Sequence, residues 1–265
     1  MRIAVLGGTT FELNGPFGAG LVTQVGDGGW MQVLVYQGVE FDYFPFHGYS
    51  REDRSDRLSG VNFVRMFAAM RERGVTHAFG GATSGNINED YRVGDLIVPH
   101  DLIDFNKERP SGVWEAAGLE RPSIRARFSP AFCPDLSHLL YEVASARYRG
   151  RVHDSGVVVQ SQPNRYETAA EIRMYRILGG DMVTHNVGTE AIYARQMGIH
   201  FAALQSISNP AEGVQPFTIE SEMMSGKAIS EEAVPILLEA IVQCASRTPT
   251  CGIVCTGEPF YGVVS

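Results

Sequence analysis

Long apolar segments are absent from this 265-residue sequence, although 44% of its residues are hydrophobic. No run approaches the roughly 18–20 consecutive apolar residues that a membrane-spanning helix requires. The apolar part of residues 1–8 is too short for a signal peptide and predicts a first β-strand instead. We therefore expect a cytoplasmic protein that has no membrane partner.

Positive charge is also scarce, because 22 Lys and Arg residues face 30 Asp and Glu residues and the net charge is −8. A protein that binds nucleic acid generally needs a basic face to neutralise phosphates. The composition therefore excludes a general nucleic-acid binder, while a local anion site remains compatible with it.

Cysteine is limited to four residues, and their spacing matches no zinc ligand set. We expect inert thiols, no metal site and no cofactor. Oxidation could instead pair Cys251 with Cys255, which lies four residues further on.

Two common phosphate-binding signatures are missing. The segment Gly7-Gly8-Thr9-Thr10 follows the first predicted strand, but neither a Gly-Lys-Ser/Thr sequence nor a G-x-G-x-x-G pattern is present there. Glycines let backbone N–H groups approach an anion, and a tight turn needs them equally. Both interpretations of this segment remain open.

What the sequence does contain is an alternation of strand and helix patterns without a low-complexity linker. We predict one α/β domain over residues 1–265, with a parallel or mixed sheet covered by helices on both faces. The predicted strands are residues 3–6, 32–36, 39–44, 77–80, 96–98, 156–160, 182–184 and 201–204. We predict five helices. An apolar stripe at residues 63–70 indicates the first, the next three are residues 134–150, about 167–178 and 189–197, and the last starts at residues 230–232.

Polar or glycine-rich residues follow several of these strands, where open α/β sheets bind their ligands. His47 and residues 80–86 offer donors for a phosphate or a sugar. Tyr166 and Glu167 offer a ring for stacking and a carboxylate that accepts from a purine. Asn209 can both donate and accept. Glu167 could instead only complement the positive end of a helix, and the local sequence supports these two interpretations about equally.

Six segments carry, in their order and spacing, a resemblance to a known family. They are Gly7-Gly8-Thr9, Gly94-Asp95-Leu96-Ile97, Phe132-Cys133-Pro134, Arg165-Tyr166-Glu167-Thr168, the run from Gly180 to Val183 with Glu190-Ala191, and Ser208-Asn209. The chain resembles the trimeric purine nucleoside phosphorylase and methylthioadenosine phosphorylase family. The resemblance implies a partly barrel-like mixed sheet flanked by helices, and a homotrimer or a hexamer built as a dimer of trimers. It also implies a purine nucleoside as substrate and phosphate as the co-substrate that displaces the base.

The resemblance assigns the base site to Tyr166, Glu167 and Asn209, and it favours a 6-oxopurine over adenine. It places His185 beneath the ribose, where the family usually has methionine, and it makes Phe132 the aromatic residue lent to a neighbouring subunit's sugar pocket. By the same matching, Glu167, Asn209 and His185 are the candidate catalytic residues. A 5′-methylthio group on the sugar remains compatible with this site.

The expected phosphate contacts are Thr9, His47, Ala82, Thr83 and Asn186. The chain departs from the family here, because Phe46 stands where the family has an arginine that would bind a phosphate dianion through two hydrogen bonds. Arg51, Arg54 or Arg165 could compensate for this loss. Two alternatives therefore stay open beside a phosphorylase, namely a hydrolase in which water replaces phosphate and a nucleoside-binding homologue without catalysis.

Overall fold

The computed structural model describes residues 1–8, 21–25, 29–45, 60–120, 126–163, 165–247 and 251. These residues form a mixed sheet with flanking helices. The strands are β1 (Ile3–Gly7), β2 (Leu21–Val25), β3 (Gly29–Tyr36), β4 (Val39–Pro45), β5 (His77–Asn86), β6 (Leu96–Ile97), β7 (Asp101–Asp104), β8 (Val152–His153), β9 (Val157–Gln160), β10 (Met182–Thr184) and β11 (His200–Pro210). The helices are α1 (Gly60–Glu72), α2 (Val113–Ala116), α3 (Pro134–Arg147), α4 (Ala169–Ile177), α5 (Val187–Met197) and α6 (Ile219–Ala245).

The sheet has the strand order β2-β3-β4-β1-β5-β10-β9-β7, and it branches at β5, where β11 pairs in parallel along almost the whole strand. Parallel pairing also joins β1 to β4 and to β5, and β9 to β7 and to β10. The pair β5–β10 is antiparallel. The predicted α/β class with a mixed sheet is confirmed.

Both faces of the sheet are covered, as predicted. Successive side chains of β1 alternate between two apolar clusters, because neighbouring residues of a strand point to opposite faces. Ile3 and Val5 pack with residues of α3 and α6, whereas Ala4 and Leu6 pack with residues of α1 and α5. The two clusters together enclose the centre of the sheet.

Each of the eight predicted strands overlaps an observed strand, but two predicted loops are wrong. Residues 80–86 and 206–210 follow the predicted strands 77–80 and 201–204 and are therefore predicted as loops, but they are the continuations of β5 and β11. Small and polar residues are atypical of strands, yet here they pair with each other across these two buried strands. Tertiary pairing therefore overrides the local sequence preference, and the polar residues lie inside the sheet.

The last helix begins at Ile219, eleven residues before its predicted start. A capping box formed by Thr218 and Ser221 opens it, and Ser230 lies inside it with its hydroxyl donating to the carbonyl of Gly226 at 2.7 Å. The exposed first turns, with Met223 and Met224, lack an inward apolar stripe. Hydrophobic periodicity therefore indicates only the buried second half of α6.

None of the helices in the described part of the chain is both long enough and apolar enough to cross a membrane.

Candidate functional site

The central feature of the site is a gap in the strand pairing of β5, at residues 80–84. On one side β5 pairs with β1 only at residues 77–79 and with β10 only at Gly85 and Asn86. Between these pairings, no strand of the described chain pairs with residues 80–84 on that side. The carbonyl of Gly81 faces the end of β1, because a Cβ on Gly8 would lie 2.5 Å from it. Thr184 at the end of β10 donates to the carbonyl of Thr83 at 3.4 Å.

Strand alternation decides which backbone groups face this gap. The N–H and C=O groups of one residue in a strand point to the same side, and those of the next residue point to the other side. The carbonyl of Ala82 accepts from Ser206 on β11 at 3.4 Å, so the Ala82 amide points away from the gap. The amides of Gly81 and Thr83 point towards it. The geometry therefore favours Thr83 over Ala82 among the two expected phosphate contacts.

A pocket opens next to this gap, and the described residues enclose a cavity of about 110 Å³ there. Residues from β5, β10, β11, α6 and the loops before α4 and α5 line it, including Thr83, Tyr166, Glu167, His185, Asn209 and Glu222. The cavity is smaller than the roughly 300–1,000 Å³ of complete small-molecule sites. By itself this cavity is too small for a whole nucleoside.

Glu167 is directed into this pocket rather than to a helix end. The cap of α4 is a capping box in which Thr168 and Glu171 bind each other's backbone N–H groups. The Glu167 carboxylate instead accepts a hydrogen bond from the hydroxyl of Ser161 and is almost fully buried. Burial raises the pKa of Glu167 above its usual value, against the lowering effect of the Ser161 hydrogen bond. The cap of α4 therefore does not depend on Glu167, and the binding of a purine by Glu167 stays a prediction.

His185 joins the same hydrogen-bonded group, because its Nδ1 lies 3.0 Å from Oγ of Ser161. Burial, with a further contribution from the charge of Arg109, lowers the pKa of His185 to about 4. The ring is therefore neutral at pH 7. Since the Ser161 hydroxyl donates to Glu167, its oxygen accepts from His185, and the proton of the ring resides on Nδ1. Nε2 is then an acceptor.

Asn209 owes its position to a β-bulge. The register of β11 against β5 shifts between Ile207, opposite Ser84, and Asn209, opposite Gly85. Bulges redirect side chains beside functional sites. The Asn209 amide carbonyl accepts from Ser208 at 2.8 Å and its NH₂ donates to the carbonyl of Pro210 at 2.8 Å. These contacts use one lone pair and one hydrogen of a group that can form four hydrogen bonds.

Tyr166 forms the outer wall of the pocket with 42% of its surface exposed. Its hydroxyl donates to Glu222 of α6 at 2.6 Å, and its ring packs edge-on against Phe217 at 6.2 Å. Burial and the hydrogen bond to Glu222 both raise the pKa of Tyr166. Tyr166, Glu167, His185 and Asn209 are thus brought together by the fold.

At the inner end of the gap, Asn186 precedes α5 and connects two polar groups. Its amide carbonyl accepts from Thr184 at 3.2 Å, and its NH₂ donates to Glu190 at 2.7 Å. Glu190 is fully buried, and burial raises its pKa to about 8 against the opposing effects of Asn186 and Arg109. The Glu190 carboxyl is therefore protonated at neutral pH, and it adds no negative charge beside Gly80 on β5.

Five residues that the sequence analysis associates with the phosphate site cannot be placed here. Thr9, His47, Phe46, Arg51 and Arg54 are outside the described residues.

Arg165 is exposed and paired with Glu171 at 2.7 and 2.8 Å. Phe132 is 2% exposed and stacks with Phe201 in the core of its own chain, away from the pocket. Its role in a neighbouring subunit's sugar pocket stays a prediction.

Four contributors had not been assigned a role from the sequence. Ser161 carries no assignment from the sequence, and Ser208 enters only as part of the Ser208-Asn209 segment of the family resemblance, although each contacts a predicted site residue. Glu222 was missed because the first half of α6 was not predicted as a helix. Arg109, a buried residue whose Nη1 donates to Thr189 at 2.8 Å, carried no signal, because Lys107-Glu108-Arg109-Pro110 reads as a polar loop.

Together, these features define a mixed α/β protein with a polar ligand pocket beside an interrupted strand pairing. The chain belongs to the Phosphorylase superfamily, whose family profile matches residues 59–243. It is 30% identical to a probable 6-oxopurine nucleoside phosphorylase of Thermococcus kodakarensis, with 94% of this chain and 95% of the relative covered.

Two other relatives have similar identity over a shorter part of the chain. A 6-oxopurine nucleoside phosphorylase of Pyrococcus furiosus is 32% identical, with 68% of this chain and 70% of the relative covered. A probable S-methyl-5′-thioinosine phosphorylase of Methanopyrus kandleri is 31% identical, with 71% of both chains covered.

Solved structures agree with the fold. Methylthioadenosine phosphorylase of Schistosoma mansoni in complex with tubercidin superposes with a TM-score of 0.81. It covers 94% of both chains at 18% sequence identity. At this identity the likeness concerns the architecture alone.

Proposed function

We propose that this protein cleaves the N-glycosidic bond of a 6-oxopurine nucleoside by phosphorolysis and releases the free base and ribose 1-phosphate. The observation that carries the proposal is the convergence of Glu167 and Asn209 in one pocket that adjoins the gap beside β5. The names of the Thermococcus and Pyrococcus relatives support the same activity.

The base preference follows from hydrogen-bond complementarity. A 6-oxopurine carries a hydrogen on N1 and an oxygen on C6, whereas adenine carries a bare N1 and an amino group. The Glu167 carboxylate accepts from the N1–H group, and the Asn209 N–H that Pro210 leaves unused donates to the O6/N7 edge of the base. Against adenine, the carboxylate would face the lone pair of N1. Tyr166 supplies an aromatic face beside the base.

The sugar lies next to His185 in this proposal. Neutral His185 presents Nε2 as an acceptor for a ribose hydroxyl, since its Nδ1–H group is held by Ser161. The Methanopyrus relative is named for a 5′-methylthio substrate, so methylthioinosine is the second substrate to assay.

Phosphate occupies the gap beside β5. The backbone amides of Gly81 and Thr83, the Asn186 side chain and the N-terminal end of α5 supply donors and positive potential there. A neutral Glu190 admits the anion without repulsion. Thr9 and His47 remain predicted contacts from outside the described residues.

In the reaction, a phosphate oxygen forms a bond to C1′ while the bond from C1′ to N9 breaks, and its electron pair moves into the purine. The transition state carries positive charge on the sugar and growing negative charge on the base. Interactions that strengthen as this charge develops accelerate the reaction. Donation from Asn209 to the base stabilises the charge on O6 and N7, and phosphate stabilises the charge on the sugar.

We also propose that the protein acts in purine salvage in the cytoplasm as a homotrimer, or as a hexamer of two trimers. Support for assembly comes from the exposed apolar side chains Ile219, Met223 and Met224 on α6, beside the pocket residue Glu222. Light scattering of the purified protein measures its mass, and a monomer would contradict this assignment.

The activity is tested by incubating inosine, guanosine and methylthioinosine with the protein, with and without phosphate, and by identifying the base and the sugar product. We expect base release only with phosphate, together with an equal amount of ribose 1-phosphate. Release of free ribose without phosphate would replace the proposal with the hydrolase alternative. Bound but uncleaved nucleoside would replace it with the non-catalytic one.

A variant pair connects this activity to the pocket. Glu167→Ala should remove most turnover of inosine, whereas Glu89→Ala, at an exposed ion pair with Arg176, should retain it. Equal loss or equal retention in both variants would contradict the base assignment.

A further inference from the structure

A second cluster of chemically active side chains lies at the opposite end of β11. Cys133 comes directly before α3, His200 is the first residue of β11, and Cys251 comes from the C-terminal part of the chain. Their spacing of 67 and 51 residues shows no zinc signature in the sequence. Only the fold brings these three residues together.

The donor atoms form a compact triangle. Sγ of Cys133 lies 3.4 Å from Nδ1 of His200 and 3.5 Å from Sγ of Cys251, and the Cys251 sulfur lies 3.2 Å from the same Nδ1. In a tetrahedral zinc site with Zn–S bonds of ~2.3 Å and Zn–N bonds of ~2.05 Å, the donors are separated by ~3.8 Å and ~3.6 Å. The observed triangle is therefore within a few tenths of an ångström of a zinc coordination face.

Each of the three residues has a supporting contact that fixes its position. The Cys133 amide donates to the carbonyl of Phe201 at 2.8 Å, and the Cys251 amide donates to the carboxylate of Asp135 at 2.8 Å. The ring of His77 stacks on that of His200 with centroids 4.7 Å apart. Such supporting contacts orient ligands before the metal arrives.

We propose that Cys133, His200 and Cys251 bind a thiophilic divalent metal ion, with Zn²⁺ the best match, and that water fills the fourth position. Thiolate sulfur and imidazole nitrogen are the donors that zinc prefers. Binding exchanges the two thiol protons for the metal and releases them to solvent, so the charge of the ion is neutralised by two thiolates.

The metal would act as a structural tie and not in the reaction. His200 and Asn209 lie near opposite ends of β11, eight residues of strand separate His200 from Ser208, and this corresponds to about 26 Å. The ion would connect the C-terminal part of the chain at Cys251 to the start of α3 and to the start of β11. We therefore expect zinc to raise the thermal stability and to leave nucleoside cleavage unchanged.

The experiment uses the full chain, purified anaerobically with reductant and depleted of metal by a chelator. Zn²⁺ is titrated by calorimetry, and Co²⁺ is added separately to detect the charge-transfer absorption of cobalt–thiolate bonds. We expect one ion per chain, a cobalt–thiolate band and a higher melting temperature with zinc. No binding, or binding without a thiolate band, would overturn the proposal, as would a Cys133–Cys251 disulfide that persists under these reducing conditions.

Two substitutions identify the ligands. Cys251→Ser removes one ligand at a partly exposed position, and we expect Zn²⁺ affinity to fall at least about tenfold. Cys244→Ala changes a buried cysteine outside the cluster and should bind zinc as the unmodified chain does. Equal zinc affinity of the Cys251→Ser variant and the unmodified chain would overturn the assignment. Inosine cleavage by both variants, measured separately, distinguishes a failure here from a failure of the proposed function.

Discussion

Ser161 lies between His185 and Glu167, with its oxygen 3.0 Å from the imidazole Nδ1 and its hydroxyl donating to the carboxylate. One hydroxyl thus fixes the tautomer of a histidine and the orientation of a glutamate at once. Neutral histidine donates to serine, serine donates to glutamate, and both outer residues keep acceptor atoms for a ligand.

Removal of this hydroxyl should impair catalysis more than stability. A hydrogen bond to a charged group contributes about 1.5–3 kcal/mol, which corresponds to about 10- to 160-fold in rate. We expect Ser161→Ala to lower kcat/KM for inosine by that factor, as measured by steady-state kinetics. Ser155→Ala removes a surface hydroxyl that contacts His100 and serves as the control. Unchanged kinetics in Ser161→Ala would contradict the role of this contact.

The protonation of Glu190 should control phosphate binding. Its pKa of about 8 means that the carboxyl is neutral below this pH and carries a negative charge above it. We therefore expect KM for phosphate to rise between pH 7 and pH 9 in the unmodified protein. Glu190→Gln keeps the shape and stays neutral, so its KM should rise less over the same range. A parallel rise in both proteins would show that Glu190 is not the titrating group.

Base choice should depend on Asn209. A carboxylate at this position accepts from the amino group of adenine, while it repels the O6 oxygen of a 6-oxopurine. We expect Asn209→Asp to lower kcat/KM for inosine at least about tenfold and to raise the ratio of adenosine to inosine turnover. Asn209→Ala removes the contacts without adding an acceptor, so it should lose inosine turnover with no gain in this ratio. A higher ratio in both variants would exclude charge as the cause.

Asp42 should be a major determinant of stability. It is completely buried on β4, and Arg2 and Arg73 each donate two hydrogen bonds to it at 2.6–2.9 Å. Asp42→Ala removes the acceptor of all four of these hydrogen bonds and leaves Arg2 only the Glu40 carboxylate, and we expect a loss of about 3–5 kcal/mol in urea unfolding. Glu40→Ala, at a largely exposed carboxylate 3.5 Å from Arg2, should cost no more than about 1 kcal/mol. Similar losses in the two variants would contradict this view.

The same residue predicts a loss of stability in acid. Burial acts to raise the pKa of Asp42, but the hydrogen bonds from Arg2 and Arg73 outweigh it and bring the pKa below the usual value. A carboxyl with a lowered folded-state pKa stabilises the protein above its unfolded pKa, and this stability is lost as the pH falls through the folded value. We expect the free-energy difference between the unmodified protein and Asp42→Asn to shrink below pH 4. A constant difference would rule out titration of Asp42.

The local sequence was informative where one element decides the outcome by itself. The apolar runs of β1 and β10 and the helix signals of α3, with Pro134 in its first turn, predicted these elements with small errors in their bounds. It failed for residues 80–86 and 206–210, because these polar strands are stabilised by pairing with each other and by burial. Neither effect is visible in a window of a few residues.

The candidate site divides in the same way. Tyr166, Glu167, His185 and Asn209 were identified as polar residues that follow apolar segments and match a family pattern, and they line one pocket. The local sequence does not determine the direction in which Glu167 points. In the structure, Thr168 and Glu171 form the cap of α4, so Glu167 is not needed at the helix end. Glu222 was out of reach because its contact with Tyr166 joins residues 56 positions apart.

The sequence by itself determined the alternation of strands and helices and the small number of positively charged residues. It also determined which chemical groups are available for a nucleoside site, namely a carboxylate, an amide and an imidazole. Tertiary structure alone decided which of these groups meet. The gap between β1 and β10, the bulge that turns Asn209 and the meeting of Cys133 with His200 and Cys251 all arise from pairings between distant segments. Such pairings depend on burial and register, which are properties of the whole sheet and not of any single stretch of chain.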